Sequence, residues 1–158
     1  MTQSAMMSQT ASGASVRSIL DTKGIDVWTI APASTVLEAI KTMAEKSVGA
    51  LLVMDGAQPV GVISERDYAR KVILQGRSSK DTRVGEIMSS PVIFVPPSYT
   101  VEQCFALMTR HRIRHLPVMD GDRLAGLLSI GDLVRATMSA QKETIEQLTL
   151  YILNKYPG

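Results

Sequence analysis

Two short stretches place a hydroxyl and a carboxylate three residues apart behind the same glycine. They are Gly61-Val-Ile-Ser-Glu-Arg-Asp67 and Gly126-Leu-Leu-Ser-Ile-Gly-Asp132. In each, an apolar run leads to a serine, Ser64 or Ser129, standing where a helix would begin. A helix N-terminus presents free backbone amides and the positive end of the macrodipole, which suits a phosphate. A hydroxyl there adds a hydrogen bond to it, and a carboxylate one turn on can accept two hydrogen bonds from a ribose diol. The apolar strand end offers a flat wall for a purine. The same spacing also describes a plain helix cap, with serine at the cap and aspartate at the third helical position. Both readings stay open on these residues alone.

A basic cluster, Arg110, His111, Arg112, Arg114 and His115, is interrupted by Ile113. It reads as a solvated helix end favourable to the dipole, as a phosphate attractor beside a cleft, or as a nucleic-acid contact. Zinc binding by His111 and His115 is not expected, because no cysteine or carboxylate stands nearby at ligand spacing. Cys104 falls on the apolar face of a predicted helix and reads as a small buried hydrophobe. Trp28 is expected to pack rather than to stack on a base, and the nine methionines do not form a cofactor box. There is no Gly-x-x-x-x-Gly-Lys-Ser/Thr loop, no Gly-x-Gly-x-x-Gly turn and no Gly-x-Ser-x-Gly elbow. Asp67 and Asp132 belong to separate segments and form no evident acid/base pair. Enzymatic turnover therefore has no positive support in the sequence.

Composition narrows the classes further. The 158 residues carry 17 Lys+Arg against 15 Asp+Glu, a formal charge of +2 that does not by itself imply nucleic acid. Aromatics at 4% argue against a base-stacking platform. Apolar residues at 45% and charged residues at 20% are those of an ordinary folded protein. A lone cysteine excludes an internal disulfide framework. No apolar run approaches the roughly 20 residues that cross a bilayer, and the start lacks a basic-then-apolar export signal, so a cytoplasmic location away from membranes is expected.

The elements that must position these residues come twice. Shifted by 65 positions, Pro32 meets Pro97, Thr35 meets Thr100, and Val53-Met-Asp-Gly56 meets Val118-Met-Asp-Gly121. Gly61, Ser64, Asp67 and Arg70 meet Gly126, Ser129, Asp132 and Arg135. Upstream, Val16–Leu20 parallels Val84–Met88, with about three extra residues in the first copy. Each copy reads as a short helix at those positions, then an extended segment, Val27–Ile30 or Val92–Val95. Capping boxes at Thr35–Glu38 and Thr100–Gln103 follow. They open helices whose apolar positions are Val36, Ile40, Met43, Ala44 and Val101, Cys104, Phe105, Met108. Two β runs joined by Asp-Gly turns come next, then a second helix after Ser64 or Ser129. The predicted architecture is α+β, two β-α-β-β-α units packed face to face about a pseudo-twofold axis. Residues 1–15 read as a mobile tail, 16–75 as the first unit, 76–83 as a linker and 84–138 as the second. Residues 139–158 read as a separate C-terminal helix and tail, with Ile145, Leu148, Ile152, Leu153 and Tyr156 on one face of the stretch Thr144–Tyr156.

The duplicated unit, the Leu-Pro-Val-Met-Asp-Gly strand and the paired Gly-x-x-Ser-x-x-Asp ends resemble a tandem pair of cystathionine β-synthase (CBS) domains, a Bateman module. Ser-Glu-Arg-Asp-Tyr followed by Arg-Lys-Val resembles the small stand-alone bacterial proteins of this type. The resemblance implies a regulatory module binding an adenosine compound between its copies, AMP ahead of ADP, ATP, NAD(H) or S-adenosylmethionine. It implies no metal, a homodimer formed through the CBS helices, and an unidentified effector protein. Residue by residue, Asp67 and Asp132 would hold ribose, Ser64 and Ser129 would meet phosphate, and Val62 and Leu127 would line the purine. Gly24, Asp26 and Trp28 with Val48 and Gly49 would complete the Asp132 cleft, and Ser89, Ser90, Val92 and Ile93 with Ile113 the Asp67 cleft. Arg114 and His115 would be phosphate-binding cations, where the other copy has only Gly49 and Ala50; Arg66 faces only Gly131 in the second copy. Two unequal sites are therefore expected. A nucleotide-processing enzyme and a nucleic-acid binder built on the Arg110–His115 cluster remain the alternatives.

Overall fold

The computed structural model describes residues 14–24 and 26–155. The first unit runs α1 (Val16–Lys23), β1 (Thr29–Ile30), α2 (Val36–Lys46), β2 (Ala50–Asp55), β3 (Gln58–Ser64) and α3 (Glu65–Tyr68), which continues as a π-helical turn over Ala69–Ile73. The second runs α4 (Val84–Ile87), α5 (Val101–His111), β4 (His115–Asp120), β5 (Arg123–Ser129) and α6 (Ile130–Lys155). Strand order is β1-β2-β3 in one sheet and β4-β5 in the other. Both hairpins are antiparallel, close through two-residue loops led by Gly56 (φ 61°) and Gly121 (φ 64°), and carry a register shift at Val53/Met54 and Val118/Met119.

The short helices are exchanged between units. The Val16 amide donates to the Tyr99 carbonyl (2.9 Å) and the Arg17 amide to that of Pro97 (3.0 Å). Reciprocally, the Val84 amide donates to Ser34 (2.8 Å) and the Gly85 amide to Pro32 (2.9 Å). Val16, Ile19 and Leu20 are therefore buried with Val95, Val101, Cys104, Met108, Leu116, Val118, Leu128 and Leu133, the core of the second unit. Val84 and Ile87 are buried with Val36, Ala39, Met43, Leu51, Val53, Ile63 and Val72, the core of the first. A third cluster, Ala50, Leu52 and Val62 with Val27, Met54 and Leu124, joins the two sheets. Gly61 and Gly126 permit the exchange. A Cβ on Gly61 would stand 2.6 Å from the Met88 sulfur and 3.0 Å from the Ser89 carbonyl oxygen, and one on Gly126 would stand 2.5 Å from Leu20 Cδ2.

Several expectations are corrected. Residues 1–13 of the predicted tail lie outside the described residues, and Ser15 caps α1 in a box with Ser18. At Thr100–Gln103 the capping box is complete, whereas Thr35 makes the forward half, accepting from the Glu38 amide at 3.2 Å. On α2, Ala39 rather than Ala44 faces the core, and Ala44 is exposed. The segment Val92–Val95 is not a strand; Val95 alone makes a parallel bridge, to Val118. In the first unit the Leu52 amide donates to the Trp28 carbonyl (3.1 Å), but Leu52 is matched in the second by Pro117, which has no N–H to give. Finally, the second helix and the C-terminal helix are one 26-residue helix, α6, because nothing between Ile130 and Lys155 breaks it. Its distal residues Ile145, Leu148, Ile152 and Leu153 are exposed, and Tyr156 lies outside the described residues.

Candidate functional site

The exchange of helices leaves two clefts, each between a serine-capped helix of one unit and the loop that follows a helix of the other. Ser64 and Asp67 do form a cap: the Ser64 amide donates to Asp67 Oδ2 (3.0 Å) and the Asp67 amide to Ser64 Oγ (3.1 Å). Ser129 and Asp132 do the same at 2.8 and 3.2 Å. The plain reading of the spacing is thus realised in both copies. Capping mainly occupies one oxygen of each carboxylate; the fate of the other distinguishes the clefts.

At Asp67, Oδ1 takes the Ser89 hydroxyl at 3.3 Å and the Lys71 ammonium at 3.2 Å. Ser89 is brought there by a two-bond bridge to Val62. The adjoining cavity measures about 740 Å³, inside the roughly 300–1,000 Å³ range of small-molecule sites. Val62, Ser64, Arg66, Asp67, Val92, Ile93, Ile113, Arg114 and His115 line it, as does Gly49. So do Arg112, which the sequence placed in a basic cluster that could attract phosphate to a cleft, and Arg70 and Lys71, which it did not assign to this site. Arg112 is held at the wall by its left-handed backbone (φ 55°) at the end of α5. Arg66, Arg70, Lys71, Arg112 and Arg114 set five cations against Glu65 and Asp67. The charges of Arg114 and then Arg70 push the Arg66 guanidinium below its ordinary pKa, the mark of like charges gathered around a space. Phe105, Met108 and Pro117 supply apolar wall.

At Asp132 both oxygens are taken by cations. Oδ2 receives the Lys23 ammonium at 2.6 Å and Oδ1 receives Arg135 at 2.6 Å. Burial raises the Asp132 carboxyl, but the hydrogen bonds from Lys23 and the Ser129 amide, with the Lys23 charge, outweigh it and hold the group below its ordinary value. The cavity here is about 280 Å³, lined by Asp26, Trp28, Val48, Gly49, Leu127, Ser129 and Asp132, with His115 shared between the two clefts. Trp28 both lines this cavity and carries the Lys46 ammonium 4.4 Å above its ring.

Three predicted residues line neither cavity. Ser90 is exposed at the cis peptide to Pro91, Gly24 (φ 94°) ends α1, and Gly131 lies under the Arg135 guanidinium. Arg110 and His111 are exposed and stand apart from the lining formed by Arg112, Arg114 and His115. Burial, then the Lys23 charge, lowers the His115 pKa and so disfavours the charged ring that the phosphate-binding expectation needs. Cys104 is buried, its thiol pushed up by burial to about 11, and so is not a nucleophile at neutral pH. Among the described residues no group of three or more His, Cys, Asp or Glu could hold a metal ion. Of the missed cations, Arg70 and Arg135 had a signal, since they coincide under the 65-residue shift, and Lys23 falls among the extra residues of the first copy.

Two interlocked copies of one repeat, β-α-β-β-α in the first and without its leading strand in the second, with a capped helix mouth facing each of two clefts between them, define a tandem-repeat module with one cavity of small-molecule size. CBS domains match at residues 16–73 and 84–139, and the chain belongs to the CBS-domain family. It is 53% identical to a CBS-domain protein from Burkholderia ambifaria, provisionally described as a signal-transduction protein, over 80% of this chain and 96% of that one, with a TM-score of 0.76. It is 44% identical to the mitochondrial CBS domain-containing protein CBSX3 of Arabidopsis thaliana over 77% of this chain, and spans 62% of that relative's length. A hexameric CBS-CP12 protein from bloom-forming cyanobacteria is 29% identical over 89% of this chain and 87% of that one, with a TM-score of 0.71.

Proposed function

We propose that the chain is a non-enzymatic regulatory module that binds an adenine nucleotide in the Asp67 cleft and reports it by a conformational or oligomeric change. The observation that carries this reading is the five cations arranged around one 740 Å³ cavity with apolar walls. Phosphates would neutralise the cations, Asp67 Oδ1 would accept from ribose hydroxyls, and Val62, Ile93 and Ile113 would flank the base. Because the cleft is built from both units, a bound nucleotide favours one arrangement of the pair, by no more than its differential affinity for the two arrangements. The regulatory part of the reading is supported by the Burkholderia ambifaria relative, provisionally described as a signal-transduction protein with CBS domains. AMP, ADP, ATP, NAD(H) and S-adenosylmethionine are the candidate ligands. We read the working form as a cytoplasmic homodimer that needs no metal, membrane or nucleic acid, with an effector protein as its listener. No helix among the described residues is long and apolar enough to cross a membrane.

A thermal-shift panel of those nucleotides tests the reading. At about 100 times its Kd a ligand adds roughly 2.7 kcal/mol, a rise of roughly 5–10 °C in Tm for a chain of this size. Asp67→Ala should abolish the rise. No shift with any adenosine compound would overturn the proposal.

A further inference from the structure

We propose that Lys23 is a tethered competitor that keeps the Asp132 cleft closed, so that the chain takes one nucleotide at Asp67 and a second only when Lys23 is drawn away. This rests on the nucleotide reading of the clefts and adds their regulation. The Lys23 ammonium makes two contacts of 2.6 Å, to Asp132 Oδ2 and to the Leu127 carbonyl. Those are the acid and the strand end that correspond to Asp67 and Val62 in the open cleft. In the open cleft the Val62 carbonyl is met by the Ser89 amide (2.9 Å), a backbone partner that leaves the hollow free. In the other, α1 continues to Lys23 where α4 stops at Ile87, and the extra turn delivers a side chain into the equivalent place. Lys23 lines this cavity, which is 280 Å³ against 740 Å³ for the other.

The contact crosses between units. Lys23 belongs to the first copy by sequence, yet Val16, Ile19 and Leu20 anchor its helix in the core of the second. A ligand that took the Asp132 carboxylate would release Lys23 from both partners and loosen the end of α1. Asp26 and Trp28, on the segment that follows, line the same cavity. Opening the second cleft would therefore move the segment that leads into β1. Asp132 itself would keep Arg135 and the Ser129 amide, so removing the ammonium leaves its charge compensated.

Equilibrium dialysis of full-length protein with radiolabelled AMP and with radiolabelled ATP tests this. Wild type should bind one equivalent per chain. Lys23→Met, which keeps the apolar stem, should bind a second equivalent at least about tenfold more tightly than wild type does, a gain of about 1.4 kcal/mol. Asp132→Asn in the wild-type background should leave the first equivalent unchanged, while Asp67→Ala removes it. Two equivalents of similar affinity in wild type, or one equivalent in Lys23→Met, would overturn the competitor role while leaving the nucleotide reading intact. A purely structural Lys23 would lower the melting temperature without adding an equivalent, which also overturns it. No binding in any variant would overturn both readings.

Discussion

At the scale of single residues, Ser64 and Asp67 cap a helix while leaving one carboxylate oxygen at the wall of a cleft. The serine and the Oδ2 oxygen close the cap, and Oδ1 remains at the cleft wall. His115, at the start of β4, lines both clefts. Its ring titrates near 6.5 in the unfolded chain, and burial lowers it in the fold. Unfolding therefore takes up a proton once the pH falls below 6.5. The contribution of the neutral buried ring is complete above that value and is lost as the pH drops toward the folded one. Tm should decline as the pH falls below about 6.5, and His115→Gln should flatten that decline. An equal slope in the variant would show that another group sets it. The capped Ser-x-x-Asp pairs were legible in the sequence because capping is local chemistry. The ion pairs that Lys23, Lys71 and Arg135 make with the two aspartates were not, because they depend on where helices end and which unit they enter.

At the scale of elements, the exchanged helices α1 and α4 set the close approaches. Gly61 and Gly126 occupy matching strand positions but are not equally replaceable. An alanine at 61 would press on the fixed Ser89 carbonyl as well as on Met88, whereas at 126 it meets only the Leu20 side chain. Gly61→Ala should destabilise by about 1–3 kcal/mol, more than Gly126→Ala, whose neighbour can change rotamer. Urea titration of the two variants measures the difference, and a larger loss at 126 would contradict the account. Helix and strand positions were readable from periodicity and turn residues. The missing strand at Val92–Val95 was also present in the sequence, as Pro117, but only the pairing in space shows which amide was needed.

For the whole molecule, each core is completed by a helix from the other unit, so neither unit should be stable alone. A fragment ending at residue 75 lacks Val84 and Ile87 and leaves the first core uncovered. That fragment should show no cooperative transition by circular dichroism. The intact chain should unfold in one calorimetric step with equal calorimetric and van't Hoff enthalpies. If the proposed homodimer forms, the midpoint should also rise with protein concentration. The exposed Ile145, Leu148 and Ile152 on α6 offer a surface for such pairing. Two separated transitions would show the units to be independent.

The repeat, the order of its elements and the two capped helix mouths follow from the sequence by itself, because periodicity, turn chemistry and capping act over a few residues. Tertiary structure alone decided which unit each short helix completes, that Lys23 meets Asp132 beside the smaller cleft, and that α6 runs unbroken. Those outcomes depend on contacts between residues far apart in the chain, where a few extra positions in one copy place a charge that its twin does not have.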